Sequence, residues 1–238
     1  MYLSEKQAVK SFSGTGEVNK AGDDLVAFLK KYDPNKYQNP CNTVDTLVFA
    51  YKEEKGVKQV TKLLLIKRGN HPSIGWWALP GGFVEFKEDI ADAALRELKE
   101  ETGIDNIEAE QLKSYGAYDR DPRTRIITTA YVALVPEGSL RAQAGDDASD
   151  SGWFDISDEL LEEKESENGL CYEKHRLILN CNSNNVRTET TVGIKWNGNA
   201  VLQNKNYYVE DTSMLAADHG AIVLEGYHYI CARLLVNP

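Results

Sequence analysis

The sequence has no long apolar run, few cysteines and little positive charge. None of its apolar stretches approaches 18 residues, so we expect no membrane-spanning helix. Its first 20 residues lack the apolar core of a secretory signal, which favours a cytoplasmic protein. No C-x-x-C pair occurs among the four scattered cysteines, so we expect reduced structural thiols at Cys41, Cys171, Cys181 and Cys231.

The shortage of positive charge limits the class of partner. Lysine and arginine number 27 against 37 aspartates and glutamates, which gives a formal net charge of -10. Nonspecific nucleic-acid binding needs a positive field, so this composition argues against it. A polyanionic substrate can still bind where metal ions neutralise both the substrate and an acidic site. The 238 residues suit one large domain or two small ones.

Hydrophobic spacing predicts a mixture of helices and strands. A first helix is capped by Asp23 and Asp24 and ends at Asp33-Pro34. Alternating or continuous apolar runs predict strands at 44–51, 62–67, 112–118, 126–135, 152–155, 176–180, 186–196 and 200–203. The acidic stretch 158–174 is predicted to be loop or helix, and Asn197-Gly198 a hairpin turn. A closing helix is predicted over 218–235, although Gly226 costs it about 1 kcal/mol relative to alanine.

A glycine-rich loop followed by an acidic helix carries the chemistry. Residues 69–82 hold four glycines and two prolines, and an amphipathic helix follows over 90–98, with Gly103 at its C-terminal cap. On that helix Glu97, Glu100 and Glu101 stand at i, i+3 and i+4, so their carboxylates share one strip. A solvated helix face is the ordinary explanation of such a cluster. The adjacent glycines favour a site instead, because backbone without Cβ can approach a ligand closely.

The spacing from Gly82 resembles the complete Nudix box, G-x5-E-x7-R-E-U-x-E-E-x-G-U with U aliphatic, through Glu88, the 96–98 triplet, the 100–101 pair and 103–104. This resemblance implies a metal-dependent hydrolase. It implies that the Gly81 carbonyl, Glu97, Glu100 and Glu101 hold Mg²⁺, with Mn²⁺ as an alternative, while Glu88 and Arg96 fix the loop and the carboxylates. The family takes its catalytic base from different places, so Glu97, Asp146 and Asp147 all stay candidates.

The similarity extends over about 43–154 and 215–235 to the branch that contains ADP-ribose pyrophosphatases and their regulator relatives. The candidate phosphate-binding residues are Arg68, Arg120 and Arg123. Tyr118, Trp76 and Phe83 are candidates for stacking on a base, and Gly82 and His71 belong to the presumed substrate loops. Trp77 is expected to pack in the core. The remaining histidines, His175, His219 and His228, share no metal-ligand spacing and are given no catalytic role.

The resemblance implies an α/β (α+β) fold, a Nudix-type α/β/α sandwich with a mixed central sheet. We expect an N-terminal helical extension over 1–40, a core over 41–157, a β-rich insertion over 158–212 and the closing helix over 213–238. The insertion's role is open among a lid over the site, a dimer seam and padding. Family members often pair, so a homodimer is implied, although these residues do not specify it.

The expected reaction splits the pyrophosphate bond of a nucleoside diphosphate compound, first of all ADP-ribose to AMP and ribose 5-phosphate. NADH, nucleotide sugars and nucleoside triphosphates are alternative substrates. Another alternative is a nucleotide-sensing regulator with little catalysis. In such regulators a DNA-binding module follows the helix that corresponds to the one at Asp218-His219 here. Here the sequence stops at Pro238, so we expect no sequence-specific DNA binding.

Overall fold

The computed structural model describes residues 12, 14–140, 148–202 and 204–236. The chain divides into two compact units, Met1–Asn39 and Pro40–Pro238. The first unit contains helix α1 (Leu25–Lys31), whose N-terminus is capped by the Asp24 carboxylate accepting from the Ala27 N–H at 2.8 Å. Among the described residues, the second unit contains the strands and two further helices. In the described part of the chain, no helix is both long and apolar enough to cross a membrane.

The second unit is built on a large mixed sheet of nine strands. In chain order the strands are β1 (Cys41–Glu54), β2 (Val57–Arg68), β3 (Trp77–Ala78), β4 (Glu110–Tyr115), β5 (Ile126–Pro136), β6 (Ala148–Glu165), β7 (Leu170–Cys181), β8 (Val186–Asn197) and β9 (Asn206–Ser213). They run across the sheet as β4-β5-β1-β2-β6-β7-β8-β9, with β3 paired to β2. The β1–β5 pairing is parallel and the others are antiparallel, as the predicted mixed sheet requires.

Helices cover the two faces of the sheet. Along β1, Val48 and Ala50 point to the face that buries Leu98 of helix α2 (Ile90–Thr102). The alternate residues Leu47 and Phe49 point to the other face, beneath helix α3 (His219–Val236). Burial on both faces explains why β1 is a continuous apolar run. The chain therefore has the α/β/α layering that the sequence predicted.

Two local predictions were wrong, and one strand was not predicted. The acidic stretch 158–174 is mostly strand and contains no helix: it supplies the end of β6 and the start of β7, and only its residues 166–169 form a turn. These two strands pair in register, with Glu159 opposite Arg176, and cross-strand pairing overrides the weak strand propensity of acidic residues. Residues 200–202 form no strand, and the last strand is β9, which the sequence analysis missed.

Candidate active site

The glycine bend lies directly against strand β1. The Thr46 N–H donates to the Pro80 carbonyl at 2.8 Å, and the Val44 N–H donates to the Gly82 carbonyl at 2.9 Å. A Cβ added at Gly81 would lie 2.0 Å from the Val44 carbonyl oxygen. Two main chains can pack this closely only where glycine is present. The bend is therefore clamped to the sheet by its backbone.

Helix α2 brings two of its carboxylates to the same bend. The Gly81 N–H donates to Glu101 Oε2 at 2.8 Å. The Glu97 carboxylate sits so close to Gly82 that a Cβ there would lie 2.5 Å from its carbon and both oxygens. Gly103, with φ +71°, ends the helix in the left-handed conformation that its sequence position predicted.

Arg96 connects the carboxylates that surround the bend. Its guanidinium contacts Glu88 at 2.8 and 3.0 Å, Glu97 at 2.7 Å and Glu100 at 3.0 Å, and it donates to the Phe83 carbonyl at 3.1 Å. The hydrogen bond to Glu88 is the largest cause that raises the pKa of Arg96, and the same bond lowers the pKa of Glu88. A permanently charged arginine thus holds three acidic groups in fixed positions.

The acidic pair at the bend suits a hard divalent cation. Burial raises the pKa of Glu101 to about 7, against the opposing hydrogen bond from the Gly81 N–H. Burial also raises the pKa of Glu97. Within the described residues, Glu101 forms no ion pair with a lysine or arginine. A buried carboxylate without a countercharge is costly, and oxygen ligands of this type fit Mg²⁺ or Mn²⁺.

A cavity of about 720 Å³ opens beside this pair. It is of the size that ligand pockets have. Three of the predicted arginines line it, and each is already oriented by a neighbour. Arg68 donates to the Pro72 carbonyl at 2.7 Å, Arg120 forms a bidentate pair with Asp218 at 2.8 and 2.9 Å, and Arg123 lies over the Phe83 ring at 5.3 Å.

The structure brings most of the predicted site residues together. The cavity is lined by the predicted residues Arg68, His71, Gly81, Gly82, Phe83, Glu97, Glu101, Arg120 and Arg123. Glu88, Arg96 and Glu100 stand next to its wall and are joined to it through the arginine.

The other candidates lie elsewhere. Neither Tyr118, which is 81% exposed, nor Trp76 lines the cavity, so the structure does not place them as stacking residues. Trp77 is buried against Phe154, as the packing assignment predicted. The base candidates Asp146 and Asp147 lie outside the described residues.

Two buried polar residues of the cavity wall were missed by the sequence analysis. His219 accepts a hydrogen bond from the Leu79 N–H at Nδ1 (3.0 Å), and its Nε2 lies 3.8 Å from Asp45. The second oxygen of Asp45 accepts from the Thr128 hydroxyl at 2.6 Å. Because Nδ1 is the acceptor, the ring carries its proton on Nε2, on the side of Asp45. A charged residue inside the apolar run of β1 was the available signal for Asp45.

Two of the remaining histidines, His175 and His228, lie together around one carboxylate. His175 Nδ1 lies 2.8 Å from Asp158, and His228 Nε2 lies 2.8 Å from the same carboxylate. Their spacing along the chain gave no indication of this, since the three residues come from β6, β7 and α3. This cluster contains no residue that lines the cavity.

Comparisons with known proteins agree with the geometry. Residues 31–174 match the NUDIX domain. An ADP-ribose pyrophosphatase of Methanocaldococcus jannaschii is 39% identical over 132 residues, which are 54% of this chain and 72% of that protein. The ADPR responsive transcriptional repressor NtrR of Acinetobacter baylyi is 42% identical over 111 residues, which are 46% of this chain and 42% of that protein.

A solved structure covers nearly the whole chain. The crystal structure of a MutT/nudix family protein from Enterococcus faecalis matches 98% of this chain and 76% of its own, with a TM-score of 0.61 and 28% identity. The match confirms the predicted fold class. With the glycine bend, the carboxylates of α2 and the matching domain together, the chain belongs to the Nudix hydrolase family, in its ADP-ribose pyrophosphatase-like branch.

Proposed function

We propose that the protein hydrolyses the pyrophosphate bond of ADP-ribose and releases AMP and ribose 5-phosphate. The observation that carries the proposal is the cavity, which Glu97 and Glu101 line together with Arg68, Arg120 and Arg123. Carboxylates that suit divalent cations and guanidiniums that suit phosphate oxygens are the two groups that a pyrophosphate needs. Similarity to an ADP-ribose pyrophosphatase, of which the chain spans 72%, supports this substrate.

The Gly81 carbonyl, Glu97, Glu100 and Glu101 would hold the divalent ions, which supply activation of water and neutralise charge on the pyrophosphate. The arginines of the cavity bind and orient the two phosphates. A water oxygen then bonds to one phosphorus as the bridging P–O bond breaks, and the second phosphate leaves. The proton of that water passes to a carboxylate, for which Glu97, Asp146 and Asp147 are the candidates.

The remaining residues position these groups. Arg96 keeps Glu97 at the bend, and Glu88 keeps Arg96 in place through two contacts. Asp218 holds Arg120 in one orientation with a bidentate pair, which leaves the Nη1 donors of Arg120 for substrate. The Phe83 ring, 47% exposed and packed by Arg123, offers an apolar face to a base or ribose.

A substrate panel tests the proposal. The protein is assayed with Mg²⁺ or Mn²⁺ against ADP-ribose, NADH, nucleotide sugars and nucleoside triphosphates, and the products are identified. AMP with ribose 5-phosphate is the expected result. Pyrophosphate release from a triphosphate as the preferred reaction would contradict the choice of substrate.

Substitution tests the metal carboxylates. We expect Glu101→Gln to lower turnover by a factor of at least about 100, as expected for losing a key electrostatic contact. Glu108→Gln, an exposed carboxylate between α2 and β4, is the matched control and should keep full turnover. Near-normal turnover of Glu101→Gln would remove that residue from the metal site. Comparing pH–rate profiles of Glu97→Gln, Asp146→Asn and Asp147→Asn identifies the base.

The similarity to a transcriptional repressor favours one second candidate, a nucleotide sensor with little catalysis. It predicts binding of ADP-ribose without turnover, together with sub-micromolar DNA binding at physiological salt. The net charge of -10 disfavours the DNA contact. A gel-shift titration on genomic fragments distinguishes the two functions.

The finer properties implied by the resemblance are part of the same proposal. Mg²⁺ is the working ion, the protein acts in the cytoplasm, and two chains pair as a homodimer. Metal-dependent activity, cell fractionation and light scattering of the purified chain test these three properties separately.

A further inference from the structure

A second group of metal-ligating side chains lies between the sheet and helix α3. The carboxylate of Asp158, on β6, lies 2.8 Å from His175 Nδ1 and 2.8 Å from His228 Nε2. The potential ligand atoms of these three residues all lie within 4.8 Å of one another. We call this group the Asp-His cluster.

The cluster occupies positions where the sheet otherwise buries apolar residues. On β6, Asp158 follows the buried Phe154 and Ile156 at the same alternating spacing, and on β7 His175 precedes the buried Leu177 and Leu179. His175 is itself only 7% exposed. Placing a carboxylate and two imidazoles under a helix is costly unless they bind each other or an ion. Here the three groups do contact each other, in an arrangement that an ion could also use.

In each imidazole, the ring nitrogen that does not contact Asp158 has another partner, which can accept a hydrogen bond. His175 Nε2 lies 3.4 Å from Glu173 Oε2, and His228 Nδ1 lies 3.1 Å from the Tyr207 hydroxyl. Each ring nitrogen of His175 therefore faces a carboxylate, Nδ1 that of Asp158 and Nε2 that of Glu173. A cation bound by Asp158, His175 Nδ1 and His228 Nε2 would take the place of the hydrogens between these atoms, and each ring would keep its single proton on its other nitrogen.

We propose that the Asp-His cluster is a second metal site, which binds Zn²⁺ through Asp158, His175 Nδ1 and His228 Nε2. Two imidazoles and one carboxylate suit a borderline transition metal better than Mg²⁺. Ligands of a tetrahedral site with bonds of roughly 2.1 Å lie roughly 3.4 Å apart. The spacing of the cluster, from 2.8 Å up to at most 4.8 Å, brackets that value.

The residues around the proposed site resemble those around known metal sites. The Glu173 carboxylate and the Tyr207 hydroxyl fix the orientation of the two ligating rings, as second-sphere partners do. Three protein ligands leave a fourth position for water. Since the ligands come from β6, β7 and α3, the ion would tie helix α3 to strands β6 and β7.

Cobalt binding tests the proposal, because Co²⁺ substitutes for Zn²⁺ and is visible by absorption. The full chain carrying Glu97→Gln and Glu101→Gln is titrated with Co²⁺ in excess Mg²⁺, so that the Nudix carboxylates do not compete. We expect one Co²⁺ per chain with the strong visible bands of a four-coordinate site. Zn²⁺ should displace it and raise the thermal unfolding midpoint.

Variants of the cluster identify the ligands. In that same background His228→Gln should weaken Co²⁺ binding at least about 100-fold, and Tyr207→Phe, which removes only an outer partner, about 10-fold. His71→Gln, which removes an imidazole outside the cluster, is the matched control and should bind normally. Absence of a one-per-chain Co²⁺ spectrum in the parent overturns the proposal. Unchanged Co²⁺ affinity in both cluster variants also overturns it. If His228→Gln does not fold, unchanged Co²⁺ affinity in Tyr207→Phe alone overturns the proposal.

Discussion

The two adjacent glycines of the bend should respond differently to the same added methyl group. In Gly82→Ala the new Cβ would lie 2.5 Å from the Glu97 carboxylate, which is the movable end of a side chain. In Gly81→Ala it would lie 2.0 Å from the Val44 carbonyl oxygen and 2.9 Å from the Asp45 Cα, both of which are backbone atoms. The first change can be absorbed by moving one carboxylate, whereas the second must move a central strand.

The magnitudes follow from these contacts. Displacing Glu97 from its 2.7 Å contact with Arg96 costs roughly 1.5–3 kcal/mol of folding free energy for a charged hydrogen bond. It should also lower turnover at least about 100-fold, because a metal carboxylate leaves its position. Gly81→Ala should cost about 3 kcal/mol or more, since overpacking against backbone has no cheap relief. That variant should be poorly folded as well as inactive.

Urea unfolding and steady-state ADP-ribose hydrolysis on the same samples separate the two effects. Gly103→Ala is the matched control: its φ of +71° costs alanine about 1–2 kcal/mol, but nothing lies within 4 Å of the added Cβ. It should lose stability and keep turnover. If Gly82→Ala turns over substrate like the wild type, Glu97 does not need its place at the bend, and the assignment of the metal site fails.

Other changes test the helix and the cavity wall. Gly226→Ala should destabilise the protein by about 1–3 kcal/mol, because the added Cβ would lie 2.6 Å from Leu47 Cδ2. This packing cost should exceed the helix preference of alanine, so a gain in urea resistance would contradict it. His219→Ala should cost about 1–3 kcal/mol in the same assay, since the buried Leu79 N–H loses its acceptor, and an unchanged midpoint would refute that bond. Arg120→Lys should raise KM for ADP-ribose at least about 10-fold, because lysine cannot reproduce the bidentate geometry; wild-type KM would remove this arginine from substrate binding.

The sequence predicted those parts of the structure that local spacing determines. The cap at Asp24, the amphipathic face of α2 and the left-handed Gly103 each depend on residues within a few positions of one another. The strands β1 and β5 were found because burial on both faces makes them continuous apolar runs. The Nudix box combines these local signals with seven fixed residues, so it identified the family without knowledge of the fold.

The errors occur where pairing partners decide the structure. The strand segment after Asp158 is acidic and largely exposed, so its own sequence favours loop or helix, and only β7 alongside makes it a strand. The strand β9 was missed although Tyr207, Tyr208 and Val209 are good strand formers. The hairpin turn predicted at Asn197-Gly198 placed the strand after it at 200–203, which is too early in the chain. The Asp-His cluster could not be found from spacing at all, since ligands on three elements share no sequence interval.

The cavity needs a segment that the Nudix box does not contain. The Trp77 N–H donates to the Met214 carbonyl at 2.8 Å, and the Ala216 N–H donates to the Trp77 carbonyl at 2.8 Å, so the chain just before α3 is joined to the short strand that leads into the glycine bend. From this junction Asp218 reaches Arg120 and His219 reaches Leu79. The strands β4 to β9 separate the box from Asp218 and His219 in sequence, and the pairing of these strands places the two residues at the cavity. His219 and His228 stand nine positions apart on the same helix, which is roughly 14 Å at 1.5 Å per residue. One rigid element therefore contacts both the catalytic cavity and the Asp-His cluster, and an ion that anchors its middle would also hold its first turn against the wall where the substrate binds.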